Sequence, residues 1–266
     1  KVFLSGEQVS LAAGSFVTAE GGKTGSGGEI LLRSTISTEE NQTGLNIGAG
    51  KLSANSGTDG GTGGSIGLLS RAPIRLAQNG AITAVSRQGL GGGVIEFSSQ
   101  IISGHTTDGN LIASLNGLVQ TAIGSDLGEI SFTSGKTVGH TPDQTDAVLV
   151  SGSANLKGAI SASGGMVHIT TSRDSAYLDI RSVSAEANFA NAVDLSTPGD
   201  DSLIAILPRI GDATGVRTPG NVSITSGKVL VGATRDEQSA SNSALPHIDA
   251  GSVNLTVNSN GGKRVV

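Results

Sequence analysis

Cysteine and tryptophan are absent from this 266-residue chain, and aromatic residues make up only 2% of it. Aromatic side chains fill the middle of most globular cores because each of them buries a large area. Their scarcity therefore predicts a thin core made of Ile, Leu, Val and Ala. The absence of cysteine also excludes disulfide bonds and a cysteine nucleophile.

An excess of basic residues and a long apolar run are missing as well. The formal net charge is −5, whereas a nucleic-acid-binding surface needs clustered Lys and Arg. No window approaches the roughly 18 consecutive apolar residues of a membrane-spanning helix. We therefore predict no nucleic-acid partner and no transmembrane segment. No phosphate-binding loop or set of metal ligands stands out, so we expect no cofactor.

Glycine, in contrast, is abundant, with 41 residues, and much of it belongs to an internal repeat. The repeat is a Gly-x-(Ile/Val)-x-(aliphatic or Phe) motif that recurs every 29 to 37 residues, apart from one step of 55. Such a period is typical of solenoid proteins. The copies begin at Gly28, Gly64, Gly93, Gly128, Gly165, Gly220 and Gly251.

Two shorter apolar alternations precede this motif in each period. One reads hydrophobic-x-(Ala/Thr), and the other is an aliphatic-x-aliphatic pair. The first alternation begins at Val17, Leu52, Ile82, Val119, Ile160, Val183 and Ile248. The second begins at Val9, Leu45, Ile74, Leu111, Val148, Leu178 and Val229.

Three alternating segments per period predict three short strands, each with one buried face. We predict an all-β fold, a right-handed parallel β-helix of six or seven coils that spans residues 1–266 as one domain. Each strand would pair with its equivalent one coil along, about 4.8 Å away. The glycine before the first strand would supply a corner with positive φ. The predicted internal ladder is Ile30, Ile66, Ile95, Ile130, Val167, Val222 and Val253.

The single 55-residue step, from Gly165 to Gly220, predicts an inserted loop at 186–219. Insertions in solenoids lie on the outside and often bind ligands. The candidate binding residues of this loop are Asp200, Asp201, Arg209 and Arg217.

These motifs resemble the rod region of filamentous-haemagglutinin-type adhesins, which bacteria export by two-partner secretion. The shared pattern is an Ile-x-Ala segment, a Gly-rich corner and then Gly-Gly-x-Ile-x-Leu, as at Leu52-Ser53-Ala54 followed by 63–68. The resemblance covers nearly the whole chain and is weakest at 186–219. It implies export to the cell surface or the medium, with a role in adhesion or community assembly. The family's Asn-Pro-containing secretion motifs are absent, so the resemblance is to the rod alone.

Catalytic patterns are sparse in this sequence. A nucleophilic hydrolase needs an activated Ser or Cys beside a base, and no nucleophile elbow is present. His105 and His140 would stack on successive coils but lack metal-ligand spacing. The alternative function is a polysaccharide lyase or glycoside hydrolase, since many such enzymes are parallel β-helices. Its carboxylates would come from pairs such as Asp143/Asp146, Asp174/Asp179 or Asp200/Asp201.

The sequence therefore favours a structural and adhesive rod segment that is not an enzyme. We expect an extracellular or cell-surface location. The expected partners are a host or neighbouring-cell surface, a glycan or matrix, or further copies of the chain.

Overall fold

The structure, a computed structural model, describes residues 1–36, 42–100, 109–123, 128–135, 147–172, 176–185, 193–197, 199–206, 215–231 and 247–258. Within these residues the chain forms twenty-five strands and no helix. All of the strand pairs in this part are parallel. The predicted fold class, an all-β parallel β-helix, is confirmed.

The strands follow one another in chain order as short segments of two to nine residues. They are β1 (Val2–Gly6), β2 (Val9–Ser10), β3 (Phe16–Thr18), β4 (Glu29–Ser34), β5 (Leu45–Gly48), β6 (Lys51–Ser53), β7 (Ser65–Leu69), β8 (Ile74–Leu76), β9 (Ala81–Thr83), β10 (Val94–Ser98), β11 (Leu111–Leu115), β12 (Leu118–Gln120), β13 (Glu129–Thr133), β14 (Ala147–Ser151), β15 (Asn155–Lys157), β16 (Ala159–Gly164), β17 (Met166–Thr170), β18 (Tyr177–Ala185), β19 (Val193–Thr197), β20 (Leu203–Ile206), β21 (Gly215–Arg217), β22 (Asn221–Ser226), β23 (Lys228–Val231), β24 (His247–Asp249) and β25 (Ser252–Val257).

Three sheets run along the axis of the helix. Sheet A contains β1, β4, β7, β10, β13, β16, β18, β20, β21, β23 and β24. Sheet B contains β2, β5, β8, β11, β14, β17, β19, β22 and β25, and sheet C contains β3, β6, β9, β12 and β15. Each coil contributes one strand to sheet B, which has nine strands in the described part of the chain. The β-helix therefore has more coils than the six or seven predicted.

The core is a set of inward-facing side chains stacked coil over coil. Ile30 pairs with Ile66, Ile66 with Ile95, and Ile95 with Ile130, and all four are buried, as the sequence predicts. Each fully buried aliphatic side chain stabilises the fold by about 1.5–3 kcal/mol. Alternate residues of the same strands face outward, so each strand contributes only every second residue to the core.

The two buried phenylalanines show how closely successive coils stack. Phe97 and Phe132 occupy the same inward position on β10 and β13, and neither is exposed to solvent. Their ring centroids lie 5.1 Å apart with an interplanar angle of 22°. This stacked arrangement follows directly from the parallel pairing, because it places identical side chains one strand spacing apart.

The predicted ladder is wrong beyond Ile130. Ile130 pairs next with Ile160 in sheet A, whereas Val167 pairs with Val148 in sheet B. The cause is strand β15, whose only buried side chain is Leu156 and which the sequence pattern did not reveal. Because β15 occupies the position in sheet C, each later motif lies in the sheet that follows the predicted one. The motifs at Val222 and Val253 therefore also belong to sheet B, and those at Val183 and Ile248 belong to sheet A.

The predicted insertion at 186–219 is also wrong for its described residues. Strands β19, β20 and β21 lie in this stretch, and each pairs with strands of the coils on both sides. The 55-residue step contains two coils, since Val167, Val193 and Val222 are successive partners in sheet B. The coils are shorter here because fewer residues connect each coil's third side to its next strand in sheet A. A single residue, Gly158, separates β15 from β16, and β18 continues without a break.

Buried serines line the corner between sheets A and B. The hydroxyl of Ser34 donates to the Glu7 carbonyl at 2.5 Å, and that of Ser70 donates to the Ala72 carbonyl at 2.7 Å. Ser99 donates to the Gly109 carbonyl at 2.8 Å. The turn from one sheet into the next interrupts the regular ladder and leaves backbone carbonyls without a ladder partner. A small hydroxyl side chain satisfies them and occupies little volume.

The predicted positive φ of the glycine before each sheet A strand is wrong, and close approach of other backbone accounts for this glycine instead. The backbone of the neighbouring coil approaches Gly64 and Gly93, whereas the same corner of the chain approaches Gly28 and Gly128. Gly28, Gly64, Gly93 and Gly128 do not have positive φ. The glycine one position earlier, Gly63, is confined in the same way. A Cβ on Gly63 would lie 2.2 Å from the Ala84 carbonyl oxygen and 2.4 Å from the Gly93 nitrogen, both in the next coil.

Replacement of Gly63 by alanine tests this close approach. We expect Gly63→Ala to lower the free energy of unfolding by about 1–3 kcal/mol, because the methyl group must displace the backbone of the adjacent coil. Gly22→Ala is the matched control, since a Cβ there meets nothing within 4 Å. Chemical denaturation followed by circular dichroism measures both variants. Equal stability of the two variants would contradict the proposed role of backbone contact.

Candidate functional site

The predicted binding residues lie at different corners of the helix. Asp200 and Asp201 occupy the turn at 199–202 between β19 and β20, whereas Arg217 ends β21 in sheet A. Arg209 lies outside the described residues. The structure therefore does not gather Asp200, Asp201 and Arg217 in one loop, and their role in binding stays a prediction.

The turn that bears Asp200 and Asp201 is anchored by the buried hydroxyl of Ser202. This oxygen lies 2.6 Å from the Thr197 carbonyl and also contacts the Gly199 carbonyl. It accepts a hydrogen bond from the Gly227 nitrogen, at 3.1 Å, in the next coil. The turn thus joins two coils through its buried side, and its aspartates lie on the opposite, outer side.

Arg217 interacts with the following coil. Its Nε lies 3.8 Å from Asp249 Oδ2, and both side chains are about 70% exposed. Ion pairs of this exposure contribute little to stability because water and salt screen them. This contact connects β21 to β24 and provides no ligand-binding geometry of its own.

The remaining carboxylate and histidine candidates are mostly beyond the described part of the chain. His105, His140, Asp143, Asp146 and Asp174 all lie outside the described residues. Asp179 is in β18, at a position that pairs with Ala159 and Ala205. Among the described residues, no group of three His, Asp or Glu side chains could hold a metal ion.

The outer side of sheet B presents a regular array of polar side chains, which we call the polar face. Its first column consists of one outward residue from each of four adjacent strands, paired in register. Its second column consists of the outward residue two positions later in each of the same strands. The first column is His168, Asp194, Ser223 and Asn254. The second column is Thr170, Ser196, Thr225 and Thr256. Successive members of a column are about 4.8 Å apart.

The polar face contains a histidine, an aspartate and a serine, but not in the order of a catalytic triad. His168 Nδ1 lies 3.7 Å from Asp194 Oδ2, and Ser223 pairs with Asp194 on its other side. In a triad the imidazole lies between the hydroxyl and the carboxylate. Here His168 and Ser223 are two strand spacings apart, roughly 9.6 Å. His168 therefore cannot accept a proton directly from Ser223.

A second charged group lies on the outer side of sheet A. Arg181 is the extra residue of a β-bulge in β18, and its guanidinium contacts the Glu129 carboxylate two strands away. Glu129 also accepts a hydrogen bond of 2.7 Å from Ser161, on the strand between them. Both carboxylate oxygens are thus engaged by side chains of the protein. This arrangement connects three coils where the corner before sheet A disappears.

Glu20 bridges the first three coils. Its Oε1 accepts a hydrogen bond of 2.5 Å from Ser53 and one of 3.5 Å from Asn55, and its Oε2 lies 3.0 Å from Arg87 Nη2. The Ser53 hydrogen bond contributes most to lowering the pKa of Glu20 below its ordinary value, and it outweighs the opposing effect of burial. The charged form of Glu20 is therefore stabilised by the fold.

The sequence pattern indicates most of the strands that bear the polar face but not the face itself. His168, Ser223 and Asn254 are the variable positions of the Gly-x-Val-x-(Ile/Leu) motif. Because a variable position shows no repeated letter, repetition in the sequence did not single it out. The signal in the sequence that indicates the polar face is that all three residues are polar at a position predicted to face outward. Asp194 does not stand out for another reason, since its strand lies within the predicted insertion at 186–219.

Comparisons with known proteins do not add to this geometry. The chain matches no family model, no curated protein and no solved structure. No helix long and apolar enough to cross a membrane occurs in the part of the chain that the structure describes.

Neutralising Glu20 tests the bridge between the first coils. Because the fold lowers the pKa of Glu20, the contacts of its carboxylate stabilise the folded state fully above the unfolded-state pKa, about 4.3. That stabilisation is lost as the pH falls through the lower, folded-state pKa. We expect Glu20→Gln to melt at a lower temperature than the wild type at pH 7, with the difference shrinking in acid.

Thermal unfolding between pH 7 and pH 3 measures this dependence. Glu7→Gln, which removes an exposed carboxylate from the same coil, controls for net charge. The assignment would be wrong if both variants showed the same dependence on pH.

Proposed function

We propose that this chain is a structural and adhesive rod segment of an exported or cell-surface filamentous protein. The polar face is the observation that carries this proposal. Four successive strands of sheet B hold polar groups at fixed outer positions, and the alternating residues of the first three of these strands are buried in the core. The face is therefore regular because the core beneath it is regular.

The continuous ladders support the structural part of the proposal. Sheet B links nine successive strands by backbone hydrogen bonds, and the inward side chains of each coil cover those of the next. Such a solenoid distributes its stability over neighbouring contacts and extends as a rod. The resemblance of its Gly-Gly-x-Ile-x-Leu corners to those of filamentous-haemagglutinin-type rods supports export and a surface location.

The chemistry of the polar face favours a glycan as the partner. Sugar hydroxyls donate and accept hydrogen bonds, and the Ser, Thr, Asn and Asp side chains of this face offer both functions. Exposed aromatic platforms, which strengthen sugar binding, are not part of it, so each contact is weak. An extended polysaccharide that lies along the axis would contact several coils at once, and its many weak contacts would add up.

A neutral polysaccharide fits this face better than an anionic one. The chain has a formal net charge of −5, which repels sulfated or carboxylated polymers over distances of about 10 Å at moderate ionic strength. Lys and Arg are absent from both columns of the polar face.

Binding to immobilised polysaccharide tests the proposal. We expect beads coated with the chain to adhere to a neutral β-glucan surface more strongly than to a sulfated glycosaminoglycan. The double variant Ser196→Lys/Thr225→Lys should weaken adhesion to the β-glucan at least about tenfold, or about 1.4 kcal/mol, because long cationic side chains cover the face. The matched control is Ser131→Lys/Thr133→Lys, at equally half-buried outward positions of sheet A.

Two results would contradict the proposal. Equal loss of adhesion in the two double variants would show that the polar face has no special role. Release of reducing or unsaturated sugars from a polysaccharide incubated with the chain would instead favour the alternative function, a polysaccharide-degrading enzyme.

A further inference from the structure

The outer side of sheet B becomes partly apolar in the two coils that precede the polar face. The first column of the polar face begins at His168, which pairs with Leu149, and Leu149 pairs in turn with Ile112. The same line of outward positions therefore continues as two aliphatic residues on β14 and β11, which we call the aliphatic pair. Ile112 is 37% exposed, and Leu149 is half-buried.

The aliphatic pair is not part of the core. On β11 and β14 the residues on either side of the pair face inward and are buried, so both strands fill the interior without Ile112 or Leu149. Single apolar residues are common on protein surfaces and need no explanation. These two are partners on adjacent strands, about 4.8 Å apart, and together they form one apolar contact surface.

The second column of the polar face keeps its hydroxyl groups across the same two coils. Ser114 pairs with Ser151. Ser151 lies beside Thr170, because the residues that precede them on their strands are partners. The column thus has a hydroxyl group on six adjacent strands. Its members are Ser114, Ser151, Thr170, Ser196, Thr225 and Thr256.

Apolar and hydroxyl groups therefore lie side by side on β11 and β14. On each of these strands the aliphatic residue and the serine are two positions apart, roughly 6.6 Å along the strand. Each strand thus offers one apolar contact and one group that both donates and accepts hydrogen bonds. From His168 onwards, in contrast, both columns offer polar groups.

An acetamido substituent on a sugar matches this combination. It joins a methyl group to an amide, which donates through its N–H and accepts through its carbonyl. The methyl group gains by leaving water against Ile112 or Leu149, and the amide finds a hydroxyl partner at Ser114 or Ser151. A plain sugar hydroxyl against the aliphatic pair would instead lose its water partners without replacement, which is unfavourable.

We infer that the polysaccharide bound along sheet B carries N-acetyl groups, whose methyl groups contact Ile112 and Leu149 while the rest of the polymer lies over the polar face. The ligand class is thus a neutral polymer of N-acetylated sugars. An acetamido group has no charge, so this class also agrees with the net charge of −5. The inference rests on the function proposed above, because it concerns the same site.

Two insoluble polymers that differ in one substituent test this inference. Chitin and cellulose are neutral and share the same glycosidic linkage, but each sugar of chitin has an acetamido group where that of cellulose has a hydroxyl. Depletion of the wild-type chain from solution by each polymer gives two dissociation constants. We expect the wild type to bind chitin at least about fourfold more tightly, which is the effect of removing one methyl group from water.

A double variant without the aliphatic pair identifies the residues responsible. Ile112→Ser/Leu149→Ser should lower the affinity for chitin to that for cellulose and leave the affinity for cellulose unchanged. The matched control is Leu31→Ser/Val94→Ser, which removes one half-buried and one exposed outward aliphatic residue from sheet A and should keep the preference. Circular dichroism reports folding, and sedimentation velocity reports size. The wild-type comparison needs no substitution, so misfolding of a variant does not remove the test.

Equal affinity of the wild type for the two polymers would overturn the inference but leave the proposed function intact, because binding to a neutral glycan would remain. Retention of the chitin preference by the double serine variant, or its loss in the sheet A control, would also overturn the inference. A wild-type dimer that the double serine variant converts into a monomer would do so too, since the aliphatic pair would then be a contact between chains. Absence of binding to both polymers would contradict the proposed function as well.

Discussion

The structure depends on one constraint, which is that each strand pairs in register with its equivalent one coil along. This pairing places like side chains about 4.8 Å apart, so an inward aliphatic residue is covered by the aliphatic residues above and below it. The core can then be filled by aliphatic side chains, and few aromatic residues are needed. The Phe97 and Phe132 rings show the same rule, because they stack directly on one another.

Close stacking of coils also determines where small residues must lie. At each corner the chain turns from one sheet into the next while the neighbouring backbone remains one strand spacing away. At Gly63 the next coil lies where a Cβ would stand, and at the buried serine corners a short hydroxyl satisfies a carbonyl that the ladder leaves free. Glycine and serine are therefore parts of the packing, and their abundance does not indicate disorder.

Outward positions are free of these demands, so they are available for function. On sheet B they form the polar face, whose chemistry suits many weak hydrogen bonds. On sheet A, Glu129 and Arg181 connect three coils at the point where the corner before sheet A is lost. In both places the spacing of the functional groups is set by the backbone, because neighbouring groups belong to paired strands.

The sequence predicted the first half of the helix well and the second half poorly, for a physical reason. In the first coils, long Gly-rich corners separate the strands, so each apolar alternation is distinct. At Asn155–Lys157 a strand has one buried side chain, and a one-residue corner follows it. The pattern there does not distinguish one strand from the next, so the sequence predicts an insertion where the structure has the coil that contains Val193 and Ile204.

By itself, the sequence determined the fold class, the parallel pairing and the first inward ladder, because a period-2 alternation repeated at a fixed interval allows few other arrangements. Only the tertiary structure decided which face each later strand joins, since that depends on corner lengths that vary without changing the alternation. It also decided which outward residues are neighbours. His168, Asp194 and Ser223 are far apart in the chain, and only the stacking of coils places them in one column.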